Sequence, residues 1–209
     1  MLELHSWTTP NGDKLHIMLE ELGLPYRVVP VNLGAGEQNS PEYRAINPNG
    51  KIPALVDPEG PNDEKIVVFE SGAILVYLGE KTGRFLPQDT RGRFAVLQWL
   101  MFQMSAIGPQ LGLLFRARIA AEPVPAQVER FTAEVARIFG VVEQQLASGG
   151  PYLAGDYSIA DIASFPWMRN HKALGIDIAE YPRVRAWLDA IAARPAVQRG
   201  MQVLRAPGA

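Results

Sequence analysis

Trp7-Thr8-Thr9-Pro10-Asn11-Gly12 closes the first apolar run of the chain. Residues 2–6 before it predict a short strand. After it, Leu15, Met18, Leu19 and Leu22 fall at i, i+3, i+4 and i+7, one face of a helix. Gly23 and Pro25 end that helix. A strand that passes at once into a helix through hydroxyls, a proline and an amide is the first step of an α/β arrangement. The turn carries no cysteine.

The pattern continues outward from that turn. Residues 26–31 read as a second strand, which Pro30 places at a sheet edge or a strand end. Residues 33–38 form a Gly-containing loop. Ser40-Pro41-Glu42 has the form of a helix start, with Ser at the N-cap and Pro at the first helical position. Asn47-Pro48-Asn49-Gly50 is a turn. Residues 52–56 and 66–69 predict two more strands, with a polar hairpin loop over 57–64 between them. Ser71 opens a helix with Ile74, Tyr77 and Leu78 on one face. The order β-α-β-α-β-β-α predicts a small mixed sheet with helices packed on it.

After Leu86-Pro87 the periodicity changes. Phe94, Leu97, Met101 and Met104 are spaced as a helix seam, and Val128, Phe131, Val135, Ile138 and Val142 repeat that spacing. Residues 121–125 break the two helices, and 112–116 read as a loop. Val184, Trp187, Leu188 and Ile191 mark a later helix. Ser158-Ile159-Ala160-Asp161 has the hydroxyl-x-x-acid form of a capping box and is assigned to folding. The expected fold class is α/β plus all-α: a first domain over 1–87 and an all-helical second domain over 91–209.

Composition narrows the function. The 209 residues are 47% hydrophobic and 20% charged, with a net charge of −2. Residues 1–87 are acidic on balance; residues 88–209 are basic on balance and contain a single lysine, Lys172, beside twelve arginines. No basic tract points to nucleic acid. The arginines form a solvated surface, or a few of them meet anionic ligand groups. No apolar run approaches the ~18 residues of a membrane span, and the first residues lack the features of a signal peptide, so a cytoplasmic protein is expected. Cysteine is absent, which excludes disulfides, thiolate metal sites and a cysteine nucleophile. The three histidines, His5, His16 and His171, have no metal-ligand spacing, and no metal is expected.

Three stretches can carry chemistry. Glu70-Ser71-Gly72 follows a strand and opens a helix, whose first N–H groups and positive dipole end attract an anion such as an α-carboxylate. Ser71 can add a hydroxyl and Glu70 can accept an ammonium; the alternative is that Ser71 is only an N-cap. Ile52-Pro53 begins a strand after a tight turn, where a cis peptide and pairing with an extended ligand are both possible. Lys51 and Gln38 then offer a cation and an amide to a distant carboxylate; otherwise both are surface residues. Thr9 and Asn11 stand where the first strand meets its helix. They are helix caps, donors to a thiolate, or both.

The set Thr9-Pro10-Asn11-Gly12, Asn47-Pro48-Asn49-Gly50-Lys51-Ile52-Pro53-Ala54, Phe69-Glu70-Ser71-Gly72-Ala73-Ile74 and Tyr157-Ser158-Ile159-Ala160-Asp161 resembles the cytosolic glutathione transferase family over nearly the whole chain. The Thr-Pro-Asn-Gly start most resembles its nu class, whose members act as glutathione-dependent disulfide-bond reductases. The resemblance implies a thioredoxin-like first domain, a helical second domain, a cis bond before Pro53 and a homodimer. It implies that Glu70 and Ser71 hold the γ-glutamyl head of glutathione, that the Ile52 backbone pairs with its cysteinyl part, and that Gln38 and Lys51 hold its glycyl end. Thr9 and Asn11 then face the sulfur, in place of the Tyr, Ser or Cys of most members, and Arg130 reaches the bound tripeptide from the second domain. Leu114, Phe115 and Trp167 are candidates for an apolar second-substrate pocket, or pack in the core.

The implied partners are glutathione or glutathione disulfide with a small disulfide or electrophile. The leading activity is glutathione-dependent disulfide reduction. The alternatives are conjugation to electrophiles or peroxide reduction at the same site, and a non-catalytic glutathione-binding regulatory module.

Overall fold

Strand β1 (Leu2–Ser6) passes through the turn at Trp7 into helix α1 (Pro10–Leu22), as the opening motif predicts, in a computed structural model that describes residues 1–205. Thr9 caps α1 with Pro10 in its first turn. Gly23 ends it at φ 66°, a left-handed conformation suited to glycine, with its N–H on the Leu19 carbonyl at 3.0 Å. Strand β2 (Tyr26–Pro30) lies parallel to β1 at the sheet edge, where Pro30 needs no ladder donor. Ser40 caps the short α2 (Pro41–Ile46).

Strands β3 (Ala54–Asp57) and β4 (Ile66–Phe69) complete a mixed sheet of order β2-β1-β3-β4, and α3 (Ser71–Thr82) follows. The third strand starts two residues later than the sequence suggests, because Pro53 has no N–H to give to a ladder. Leu4, Leu15, Met18, Leu19, Leu55, Ile74, Leu75 and Leu78 are fully buried and form the core of this unit.

The second unit, Gly83–Ala193, is helical. It holds α4 (Thr90–Phe102), α5 (Gly108–Ile119), α6 (Pro125–Ser148), α7 (Ile159–Met168) and α8 (Pro182–Ala192). A π-helical stretch, Gln103–Ile107, joins α4 to α5 without a break. The expected loop at 112–116 is therefore helix: Leu111 and Leu114 bury into the core from one face of α5.

The expected seam of α4 is also corrected. Phe94 is 63% and Met101 53% exposed, while Val96 and Leu100 are buried. Adjacent stripes of this helix are both apolar, so spacing alone does not select the buried one. The α6 stripe behaves as predicted at Val135, Ile138 and Val142.

The last helix departs from the expected division. Helix α9 (Pro195–Gly200) packs on α1, and the segment from Arg194 belongs with Met1–Thr82 and not with the helical unit. Residues 206–209 of the domain expected over 91–209 lie outside the described residues.

Three ion pairs tie this segment down: Arg194–Glu21 at 2.6 Å, Arg199–Glu20 at 2.7 Å and Arg205–Asp13 at 2.8 Å. The approach is close enough that a Cβ on Gly200 would lie 2.8 Å from both the N and the Cα of Ile17. Gly200→Ala is therefore expected to destabilise the protein by about 1–3 kcal/mol, the usual cost of overpacking against backbone that cannot yield. A lowered urea midpoint checks this, with Gly140→Ala as the control: that position is open space inside α6, so alanine there is expected to raise the midpoint through its better helix propensity.

Candidate active site

The strand register gathers the three motifs at one end of the sheet. His5 pairs with Ala54 and Ala54 with Phe69, while Ser6 pairs with Pro30. The chain thus leaves β1, β2 and β4 and enters β3 at the same end. The Thr9 turn, the loop that carries Gln38, the stretch Lys51-Ile52-Pro53 and the pair Glu70-Ser71 are all placed there.

Thr9 is extended (φ −142°, ψ 160°), and its Oγ1 accepts the Gly12 N–H at 3.1 Å. Accepting through oxygen leaves the hydroxyl hydrogen to donate. Capping and anion binding are thus compatible in one side chain. Asn11 follows in the first turn of α1, half-buried, beside the positive end of the helix. The turn itself demands Gly12: a Cβ there would lie 2.2 Å from the Trp7 carbonyl oxygen and 2.6 Å from Ser6 Oγ.

Glu70 sits in the left-handed region at φ 70°, unusual for a residue with a side chain. Its carbonyl accepts the Ile74 N–H at 3.0 Å, so Glu70 occupies the cap position of α3 and its carboxylate remains on the exposed side. Ser71 is not the cap. It is buried in the first turn, and its Oγ accepts a hydrogen bond from Lys14 Nζ at 3.1 Å.

Lys14 is the residue the sequence reading missed. It is 1% exposed, and desolvation lowers its pKa to about 7 against the raising influence of the Glu70 charge. The available signal was positional: Lys14 precedes Met18 by four residues and so shares the buried stripe of α1.

The other predicted residues are placed as follows. The Ile52–Pro53 bond is cis. Ile52 is partly buried against Val31, Tyr43 and Ala54. Lys51 is exposed, and its carbonyl accepts from Tyr43 Oη at 2.7 Å and Asn47 Nδ2 at 2.6 Å, which fixes the turn before Pro53. Gln38 lies in the 3₁₀ turn Glu37–Asn39, with its side-chain oxygen buried and accepting no hydrogen bond among the described residues.

Arg130, Leu114, Phe115 and Trp167 belong to the helical unit. Arg130 is an exposed residue of α6. Leu114 is fully buried core and Phe115, its neighbour on α5, is 44% exposed, so the two do not share a face. Trp167 packs across α5, where Cβ atoms on Gly112 and Gly108 would meet its ring at 3.4 and 3.7 Å. Among the described residues no cluster of His, Cys, Asp or Glu could hold a metal ion, and no helix is long and apolar enough to cross a membrane.

Residues 8–81 match the family model described as "Glutathione S-transferase, N-terminal domain", and residues 103–195 match "Glutathione S-transferase, C-terminal domain". The disulfide-bond oxidoreductase YfcG of Escherichia coli is 45% identical to this chain, over 99% of it and 96% of the relative. A glutathione transferase of Burkholderia graminis, solved with two glutathione molecules per subunit, superposes with a TM-score of 0.92 at 44% identity, covering 99% of this chain and 89% of that one. A glutathione transferase of Pseudomonas putida, solved with one glutathione disulfide per subunit, has the same TM-score at 41% identity, covering 97% and 91%.

Proposed function

Because the chain belongs to the glutathione transferase family, we propose that it is a glutathione-dependent disulfide-bond oxidoreductase whose reacting sulfurs all come from its ligands. The observation that carries this reading is a chain without cysteine in which hydroxyl, amide and helix-terminal donors stand at the sheet end where a thiolate would be held. Its relative YfcG, matched along the full length, is a disulfide-bond oxidoreductase.

The thiolate of one bound glutathione attacks a sulfur of the disulfide. A mixed disulfide forms and the other half leaves as a thiolate. A second glutathione thiolate attacks the glutathionyl sulfur, forming glutathione disulfide and releasing the second thiolate. Two thiols are oxidised and one disulfide is reduced.

The protein binds, orients and stabilises charge. Thr9 and Asn11 donate to the thiolate. Glu70 accepts the γ-glutamyl ammonium, and Ser71 with the first N–H groups of α3 holds the α-carboxylate. The Ile52 backbone, presented before Pro53, pairs with the cysteinyl residue. Lys51 and Gln38 take the glycyl carboxylate, a role that suits Gln38's buried oxygen only if its amide nitrogen faces the ligand. Of the apolar candidates, the exposed Phe115 suits contact with a second substrate, while Leu114 and Trp167 serve packing.

We place the protein in the nu class on its Thr-Pro-Asn-Gly turn, and in the cytoplasm because thiol chemistry of this kind runs in a reducing compartment. We also read it as a homodimer. That reading is supported by Val67 and Phe69, exposed on the edge strand β4, and by Phe94 and Met101 on α4.

Turnover of a small disulfide by glutathione, measured beside conjugation of a model electrophile, tests the function. The wild type is expected to reduce the disulfide. Thr9→Ala and Asn11→Ala are each expected to lower kcat/KM several-fold to about tenfold, the effect of one lost donor to an ion. Thr9→Ser is expected to restore most of the rate. No disulfide turnover by the wild type sinks the proposal; conjugation alone, or binding with no turnover, would put a transferase or a regulatory module in its place.

A further inference from the structure

Asp13 is an awkward residue for a protein that holds a thiolate at Thr9. It lies in the first turn of α1, and its backbone N–H closes that turn on the Thr9 carbonyl at 2.8 Å. Its side chain is only 4% exposed. The positive end of α1 thus already has a buried carboxylate one turn from the place of the sulfur, and the two anions draw on the same helix field. Like charges so placed disfavour each other, and burial leaves the repulsion little screened.

The other end of the described chain meets this charge. Arg205 Nη2 donates to both carboxylate oxygens of Asp13, at 3.1 and 2.8 Å, and its Nη1 donates to the Met201 carbonyl. Leu204, held in the left-handed region at φ 60°, accepts the Thr8 hydroxyl on its carbonyl at 3.4 Å. The segment therefore touches both the turn that presents Thr9 and the carboxylate behind it. We propose that Arg205 is a positioning residue that acts through Asp13: it cancels the Asp13 charge and leaves the helix field of α1 to the ligand's thiolate. The inference rests on the glutathione sulfur lying at the Thr9 turn.

The neighbouring charges leave this task to Arg205. His16 Nδ1 is 3.7 Å from Asp13 Oδ1, beyond hydrogen-bond distance, and neither ring nitrogen of this buried histidine has a hydrogen-bond partner among the described residues. The other arginines of the segment lie on other carboxylates, Arg194 on Glu21 and Arg199 on Glu20. Lys14, the next residue of α1, reaches Ser71 at the start of α3, where the charge acting on it is that of Glu70. Arginine is charged at every accessible pH, so its cancellation of Asp13 holds across the range in which a thiol titrates. Arg205 itself is 22% exposed, which shields the pair better than an ion pair on the open surface.

The thiol pKa of bound glutathione is the readout, followed by the ultraviolet absorbance of the thiolate as pH is varied. The wild type is expected to hold it below that of free glutathione. Arg205→Met is expected to raise it by about half a unit to one unit. Arg205→Gln, which keeps a donor but not the charge, is expected to raise it as much, and Arg205→Lys to leave it near the wild-type value. Asp13→Asn is expected to lower it, and Asp13→Asn combined with Arg205→Met to bring it back to near wild type. The opposite signs identify a charge effect. A clasp that only held the turn in place would be broken in either single variant and would shift the thiol the same way in both.

Shifts of the same sign in Arg205→Met and Asp13→Asn, or no shift in Arg205→Met, overturn the proposal. Should either of these variants fail to fold, Arg205→Gln decides alone, and a wild-type value there overturns it. A wild type that binds no glutathione, or binds it with the thiol pKa of the free tripeptide, overturns the underlying reading instead.

Discussion

Asp161→Ala is expected to destabilise the helical unit by about 3–5 kcal/mol, a large fraction of the 5–15 kcal/mol that holds a typical domain folded. The Asp161 side chain is fully buried and serves as a hub. Oδ1 accepts the Leu153 N–H at 3.0 Å and the Trp187 indole N–H at 2.9 Å. Oδ2 accepts the Ser158 N–H at 3.0 Å and its hydroxyl at 3.1 Å. The capping box foreseen at the start of α7 is therefore only half of what this carboxylate does. It also binds the turn before α7 and the middle of α8.

Burial pushes its pKa up while these hydrogen bonds pull it down, and burial prevails. Alanine would leave two backbone N–H groups and an indole N–H buried without an acceptor, each costing about 1–3 kcal/mol. Asp161→Asn keeps one oxygen and is expected to cost about half as much. Urea unfolding followed by tryptophan fluorescence checks both. A midpoint for Asp161→Ala within 0.5 kcal/mol of wild type would show that the network contributes little.

Glu70→Gly is expected to act in opposite directions on stability and on binding. A residue with a Cβ held at φ 70° stores about 1 kcal/mol or more of backbone strain. Glycine adopts that conformation freely, so the variant is expected to unfold at a higher urea concentration, with a gain of up to about 1 kcal/mol after its greater unfolded-state entropy is counted. The same change removes the proposed acceptor of the ligand's ammonium. A hydrogen bond between charged groups contributes roughly 1.5–3 kcal/mol, so glutathione affinity is expected to fall about 10- to 100-fold. Glu70→Ala separates the two effects: it shares the loss of affinity but not the gain in stability. Equal stability of the glycine and alanine variants would show that the backbone is not strained, and unaltered glutathione affinity in both would remove Glu70 from the site.

Local chemistry made much of this molecule legible in advance. Thr9-Pro10 and Gly23 bound α1 because caps act over a few residues. Pro30 foretold an edge strand because a missing donor is visible in any sequence. The three ligand motifs met at one sheet end because strand order brings them there.

What stayed hidden depends on distant partners. Lys14 looks like any surface lysine until α3 covers it. Spacing alone does not select the buried stripe of α4, because Phe94 and Met101 are as apolar as Val96 and Leu100. The 112–116 stretch, expected as a loop, continues a helix that the π-helical stretch before it joins to α4. Gly112 lies inside α5, beside the Trp167 ring. Ser71 has the residue type of a cap, one of the two roles open to it in the sequence, yet the carbonyl of Glu70 takes that place.

The return of residues 194–205 to α1 has a consequence for how the protein is made. A ribosome produces the sheet and its first three helices early, then all of residues 83–193, and only afterwards the segment that covers the flank of α1. Through that interval the nascent α1 presents Glu20, Glu21 and the backbone around Ile17 to solvent, where the finished protein has Arg199, Arg194 and Gly200. Translation stalled before Arg194 would therefore leave a first unit with its strands complete but one wall missing, a natural target for chaperones and proteases.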